Sequence, residues 1–295
     1  GAVVAVLTNP DRPGARGKAL VPSPVKEAAL KLGLPVLQPE TLRTQAREIV
    51  ASYKPDVLVC FAYGRLFGPR FLELFPQGAL NIHPSLLPRA RGSSPIQETV
   101  LSGDKEGGIS IQKIALEMDC GDILAVDRFT LTGKETTQSL TEEVAHRAAA
   151  LATSCFAGFQ TALTQASPQV GEPTYSHLIT KAEAQLDWSL TAAEVHCRIR
   201  AYYPWPKAWT SWEGAQLFIT GVSQSLWEQK DSPEALPAGV QPGTVVEVRR
   251  GKGIAIACSD ALLWVASLQL AGRKDLDWQA FLNGNPRFIG SRLGG

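Results

Sequence analysis

The sequence predicts an α/β protein, with a doubly wound, mainly parallel sheet in its first half and a small β-barrel in its second. Three observations carry this. Residues 3–7 and 57–62 are unbroken apolar runs rich in β-branched side chains, as strands covered on both faces require. The segments between them, 25–33 and 41–53, place apolar residues at helical spacing. Beyond residue 174 the pattern changes to short strands separated by Gly and Pro turns.

Taken in order, strand 3–7, helix 25–33, a short extended segment at 35–37, helix 41–53 and strand 57–62 alternate as βαβαβ. In such sheets ligands bind outside the carboxyl ends of the strands. Residues 79–83 add a strand, 108–116 and 125–131 alternate like strands with one covered face, and 140–163 reads as a long amphipathic helix. The first domain is expected to span 1–165. A polar, Pro-containing linker is expected over 166–182, and the second domain over 183–295. Within the second domain a helix over 189–201 is expected to start at a capping Ser189, followed by strands at 216–224, 243–249, 253–258 and 262–270.

Composition narrows the function classes. The chain has 295 residues, 44% hydrophobic and 19% charged, which is enough apolar side chain for folded cores and excludes a disordered chain. With 29 basic against 28 acidic residues, only local clustering of charge is informative. The 5 cysteines form no CxxC pair, so neither a zinc site nor a disulfide framework is expected, and the compartment is expected to be reducing. The charge-free stretch 148–171 carries Thr, Ser, Gln and Pro throughout, unlike a membrane span. The opening residues lack the basic and long apolar regions of a signal peptide and begin directly in a strand.

P-loop, GxGxxG, HExxH and GxSxG patterns do not occur, which lowers the expectation of NTPase, dinucleotide, zincin and serine hydrolase chemistry. Strand alternation instead puts Asn81 and His83 on one face, with Pro84 and Pro88 stopping the ladder just beyond. An Asn amide and an imidazole at a strand end suit an oxyanion and its proton traffic, or simply bond the adjoining loop backbone. The acidic segment 117–122 follows a strand and contains Gly121, so Asp119 or Asp122 is available to that His, unless the segment is a solvated turn. Together these groups make a kit for transferring an acyl group to an amine without a metal.

The stretch NIHPSLLPRARGSSPIQ at 81–97, followed by MDCGDIL at 118–124, resembles the folate-dependent formyltransferases. Within that superfamily, PDRPGARGKALVPSPVK at 10–26, DWS at 187–189 and AYYPWPKAWT at 201–210 are similar to the members that act on methionyl-tRNA. The likeness spans essentially the whole chain. It implies a Rossmann-like catalytic domain followed by an OB-like β-barrel that binds tRNA. It further implies formyl transfer from 10-formyltetrahydrofolate, without a metal, to the α-amine of initiator methionyl-tRNA.

Carried over position by position, the resemblance makes Asn81 and His83 the oxyanion donors, with Asp119 keeping His83 charged and moving protons. It puts folate against Arg65, Leu66, Phe67, Ser85, Leu86 and Pro88. Arg12, Arg16 and Lys18 fall in the basic loop that meets the tRNA acceptor end. In the second domain, which has as many acidic as basic residues, Arg249, Arg250 and Lys252 are candidate phosphate contacts, as are Arg198, Arg200 and Lys207; all are equally read as solvated charges. A monomer is the default expectation. The place of action implied is the cytoplasm, or the matrix or stroma of an organelle with bacterial-type translation. The family pattern opens one strand earlier, so a central strand is expected ahead of residue 1. Pro84 stands where many tRNA-directed members carry Gly, a departure shared with sister enzymes that formylate small amines. Such a small-amine formyltransferase and a non-catalytic RNA-binding protein are the two rival expectations.

Overall fold

In the computed structural model, residues 2–14, 19–223 and 234–294 are described. The fold is mixed α/β and divides into two compact units, one of residues 1–91, 109–127 and 147–174, the other of 92–108, 128–146 and 175–295.

In the first unit, strand Val6–Leu7 pairs in parallel with Val36–Leu37. The helix Pro24–Lys31 lies between them in sequence. Ser23 caps it by accepting from the Lys26 N–H, and Pro24 occupies the first turn, where its missing donor costs nothing. The expected strand 3–7 is shorter because it has a single neighbour among the described residues, and Val3 and Val4 are exposed. A separate four-stranded sheet holds Leu58–Cys60, Ala79–His83, Glu106–Lys113 and Ile123–Thr130 in that order. Ala79–His83 pairs in parallel with Leu58–Cys60 on one side and antiparallel with residues 110–113 on the other. Its backbone pairs on both edges, and the strand is largely buried. Phe71 and Phe75 pack with Val50 and Leu58, and Tyr63, Phe67 and Phe71 stack at 5.4 Å centroid spacings. The single helix expected over 140–163 is instead two, Thr137–Ala157 and Phe159–Thr164, separated at Gly158, whose backbone leaves the helical region.

The second unit is built on antiparallel strands ordered Trp209–Trp212, Ala215–Val222, Leu262–Leu270, Gly253–Ala257 and Val245–Arg249, with Leu276–Asp277 added to Leu262–Leu270. Trp209–Trp212 and Val245–Arg249 are the ends of this path among the described residues. Gly253 has φ +108°, and a Cβ there would overlap the Val265 carbonyl oxygen, so the hairpin entry needs glycine. Leu217, Ile219, Ile254, Ile256 and Val265 form one core with Val195 and Ile199 of helix Ala192–Ala201 and Phe281 of helix Trp278–Gly284. The first of these helices is capped by Thr191, reciprocated by Glu194 in a capping box. Ser189, the expected cap, bonds Asp187 instead.

His196 on that helix is 5% exposed, and burial together with the Arg200 cation lowers its pKa from 6.5 to about 3. The unfolded chain therefore takes up this proton first. The folded state is undiminished above pH 6.5 and loses up to about 1.4 kcal/mol per pH unit as the pH falls from there towards 3. His196→Gln is expected to flatten that acid limb. Denaturant unfolding at pH 7.5 and 5 checks this, and equal stability losses in both proteins would refute it.

Candidate active site

Asn81 and His83 point to one face of Ala79–His83, and the ladder sets Asn81 between Cys60 and Gln112, and His83 opposite Ser110. Beyond His83 the chain turns away at Pro84. Its loop is tied down by Ser110 Oγ, which donates to Ser85 O at 2.8 Å and accepts from Leu87 N at 3.2 Å. Asp119 arrives from the turn after Glu106–Lys113. Its φ of +55° is left-handed, a conformation sparsely used by residues other than Gly, Asn and Asp. Two residues on, a Cβ at Gly121 would overlap the carbonyl oxygen of Lys113, so the turn closes only on glycine. Asp119 Oδ1 thereby accepts from Asn81 Nδ2 at 3.3 Å and Gln112 Nε2 at 2.8 Å, and lies 3.6 Å from His83 Nδ1. Asp122, the alternative carboxylate, pairs with Lys113 Nζ at 3.3 Å.

His83 is buried, with Nε2 3.0 Å from Ala90 O. Burial lowers its pKa below 6.5, outweighing the opposite pull of the Asp119 carboxylate and the Ala90 carbonyl. The Ala90 acceptor assigns the proton of the neutral ring to Nε2. The Nδ1 lone pair then faces Asp119 at a separation too long for a hydrogen bond. Asp119, which the resemblance expects to keep His83 charged, pulls the pKa upward, and burial outweighs that pull.

Two residues here escaped the sequence analysis. Gln112 is buried, and its position was signalled by the alternation of residues 109–112, which puts Ser110 and Gln112 on one face. Gln169 donates to the carbonyls of Asp119 at 2.7 Å and Gly121 at 2.9 Å. It lies in the stretch expected to be linker, where nothing local marks it.

The remaining expected residues are spread around. Arg65 donates to Pro39 O at 3.0 Å and Glu40 O at 2.9 Å, and its guanidinium lies 5.8 Å from the Tyr63 ring centroid. Leu66 is 79% exposed, whereas Phe67 packs into the aromatic stack. Ser85 is buried and donates to Arg89 O at 2.6 Å, Leu86 is half-buried, and Pro88 O accepts from Thr174 N at 3.3 Å. Arg12 is exposed on the short strand Arg12–Pro13, whereas Arg16 and Lys18 lie outside the described residues. Arg249 bonds Glu234 and Glu247, and Lys252 lies 3.3 Å from Glu234. Both cations sit against the Trp264 ring, at 5.0 and 5.3 Å. Arg250 follows in the same turn. Arg200 is buried and donates to Glu135 O at 2.7 Å, which removes it as a surface phosphate contact.

Residues 1–154 match the formyl transferase family, and residues 178–286 match the formyl transferase C-terminal domain. This chain belongs to the formyl transferase family. A methionyl-tRNA formyltransferase of Treponema denticola is 37% identical over 293 residues, covering 96% of this chain and 90% of that protein. One of Roseiflexus castenholzii is 39% identical over 295 residues, covering 99% and 91%. The fold is shared with HypX from Aquifex aeolicus in complex with tetrahydrofolic acid, at TM-score 0.56 and 17% identity over 89% of this chain and 44% of that one. It is also shared with the methionyl-tRNA formyltransferase from Clostridium thermocellum, at TM-score 0.51 and 18% identity over 67% and 86%.

In this formyl transferase the Gly121 turn is the tightest element of the site. Gly121→Ala is expected to cost about 1–3 kcal/mol, because the overlap is with backbone and cannot be relieved by a side-chain rotation. Thermal unfolding reads the loss, and a midpoint equal to that of the parent protein would show that the turn accommodates the methyl group.

Proposed function

We propose that this formyl transferase moves the formyl group of 10-formyltetrahydrofolate to the α-amine of initiator methionyl-tRNA, giving N-formylmethionyl-tRNA and tetrahydrofolate. The observation that carries the chemistry is the convergence of Asn81, His83 and Gln112 on Asp119 Oδ1. The tRNA substrate rests on the relatives of that name, which match over nearly the full chain.

The folate supplies an activated formyl group, and the residues present fit that donor. An Asn amide has two N–H groups, and that of Asn81 gives one to Asp119, leaving the other for the formyl oxygen as negative charge develops there. An amino-acid ester amine is less basic than an ordinary α-amine, whose pKa is about 7.7 to 8.0, so much of it is already a nucleophile at neutral pH. His83 Nδ1 accepts the proton released on attack, with Asp119 beside the new imidazolium and Nε2–H still donating to Ala90 O. The same pair then returns the proton to the departing folate nitrogen.

In this reading the chain divides into a Rossmann-like catalytic domain over 1–165, a linker over 166–182 and an OB-like tRNA-binding domain over 183–295. The parallel pairs of residues 6–7 with 36–37 and 58–60 with 79–81 support a Rossmann-like first domain and the antiparallel path over 209–277 a β-rich second one, whereas residues 166–174 of the linker belong to the first compact unit. Folate is held by Arg65, Leu66, Phe67, Ser85, Leu86 and Pro88. In support, Arg65 clamps its loop to Pro39 and Glu40, and Ser85 lies immediately beyond the His83 strand. Arg12, Arg16 and Lys18 meet the acceptor end, and Arg249, Arg250 and Lys252 meet phosphates elsewhere on the tRNA.

A time course with radiolabelled methionyl-tRNA and 10-formyltetrahydrofolate, beside free methionine and glycinamide ribonucleotide, tests the substrate. Label is expected in formylmethionyl-tRNA alone, and formylation of a small amine instead would overturn the tRNA assignment. Asn81→Ala is expected to lower kcat by about 10²- to 10³-fold. His83→Ala is expected to lower it by about 10²- to 10⁴-fold. Near-normal turnover in both variants would overturn the site.

A further inference from the structure

We infer that Gln169, acting with Gln112, is a positioning residue that sets the Asp119 carboxylate against His83. This rests on the proposed part of Asp119 in formyl transfer. Gln169 takes no place in the reaction proposed above; it acts through the turn that carries Asp119.

The orientation of both amides is fixed from outside. Arg91 Nε and Nη2 donate to Gln169 Oε1 at 3.1 and 2.7 Å, so the amide oxygen faces the guanidinium and the NH₂ group must face the turn. That NH₂ group meets the carbonyls of Asp119 and Gly121, and Gln112 Oε1 at 3.3 Å. Gln112 Oε1 also accepts from Gly121 N at 3.2 Å, which leaves Gln112 Nε2 to donate to Asp119 Oδ1 at 2.8 Å. Every donor in the series Arg91, Gln169, Gln112 therefore points one way, with a guanidinium at its head and the catalytic carboxylate at its tail. Hydrogen bonds aligned in this manner polarise and reinforce one another in a buried setting.

The turn requires such support. A left-handed residue other than glycine persists where its surroundings over-determine it, and Asp119 is held in that conformation beside a Gly121 pressed onto Lys113 O. Gln169 grips the carbonyls on either side of Cys120, and Gln112 grips the Asp119 side chain and the Gly121 N–H. Backbone and carboxylate are thus fixed by the same two amides. Asp119 Oδ1 stays at 3.6 Å from His83 Nδ1, near enough to pair with a proton arriving there.

The test uses the full chain with Gln169→Leu and the isosteric Gln169→Glu, which retains an acceptor for Arg91 but cannot donate to the turn. Formyl transfer from 10-formyltetrahydrofolate to methionyl-tRNA is measured for both. For the Leu variant the His83 imidazole is also titrated by NMR, its signal assigned by loss in His83→Ala among the 4 histidines of the chain. Both variants are expected to lose about 10- to 100-fold in kcat, as misplacement of a reacting group does. KM for each substrate is expected to stay within about threefold, because no substrate contact is removed. His83 in Gln169→Leu is expected to titrate at lower pH than in the parent protein, since Asp119 no longer offsets its burial as fully. A kcat or a His83 titration equal to that of the parent protein overturns the proposal, as does recovery of full activity in Gln169→Glu. So does a raised KM for methionyl-tRNA at unchanged kcat, which would make Gln169 a substrate contact. Should Gln169→Leu fail to fold, as circular dichroism would show, kcat of Gln169→Glu decides. Absence of formyl transfer in the parent protein overturns the functional reading instead, and the His83 titration alone then decides the positioning role.

Discussion

Gly121 and the carbonyl oxygen of Lys113 approach so closely that no side chain fits between them, and the geometry of the site follows from that approach. The turn after Glu106–Lys113 folds back onto its own strand, Asp119 is carried into a left-handed conformation, and its carboxylate swings over the strand that bears Asn81 and His83. A looser turn would leave the carboxylate in water, where the dielectric weakens its influence on a neighbouring imidazole several-fold. The strand beneath contributes the other half of the constraint. Paired on both edges, Ala79–His83 cannot slip in register without turning its polar face into the core.

The surroundings of the trio are polar and buried at once. Ser85, Ser110, Gln112 and His83 are all nearly inaccessible, and each has a hydrogen-bonded partner. Such a network is costly when incomplete and specific when complete, because each group accepts only the arrangement that satisfies its neighbours. The second unit is built differently. Its largest buried side chains are apolar, with Trp212, Phe281 and Phe288 meeting edge to face at 5.0 to 5.1 Å around Phe288. Apolar packing dominates that core, whereas hydrogen-bond satisfaction orders the surroundings of Asp119.

What could be read from the sequence was what depends on local pattern. The strands Ala79–His83 and Leu262–Leu270 follow from apolar composition and flanking turn residues, and alternation alone puts Asn81 and His83 on one face. The resemblance to the folate-dependent formyltransferases likewise rests on contiguous motifs. Long-range contacts were not legible. Gln169 sits in a stretch with the composition of a linker, yet it reaches back to a turn 48 residues earlier. The pKa of His83 depends on its burial and on Asp119 and Ala90, which lie outside its strand, so no motif encodes it. Local errors had local causes: Gly158 divides a helix whose apolar period runs on through it, and Thr191 outcompetes Ser189 as a cap because Glu194 stands at the spacing that reciprocates.

The cations opposite Trp264 are already neutralised within the protein, Arg249 by Glu234 and Glu247, and Lys252 by Glu234. A polyanion approaching this face meets exchangeable ion pairs and not bare charges. A phosphate reaching Arg249 or Lys252 shares the cation with a carboxylate already there, so part of the attraction is offset. Such exchange also releases fewer condensed counterions per contact than two independent cations would, and association here would weaken less steeply with added salt than the sequence RRGK suggests. On such a face, the spacing fixed by Glu234 and the indole plane would select among phosphates more than total charge would.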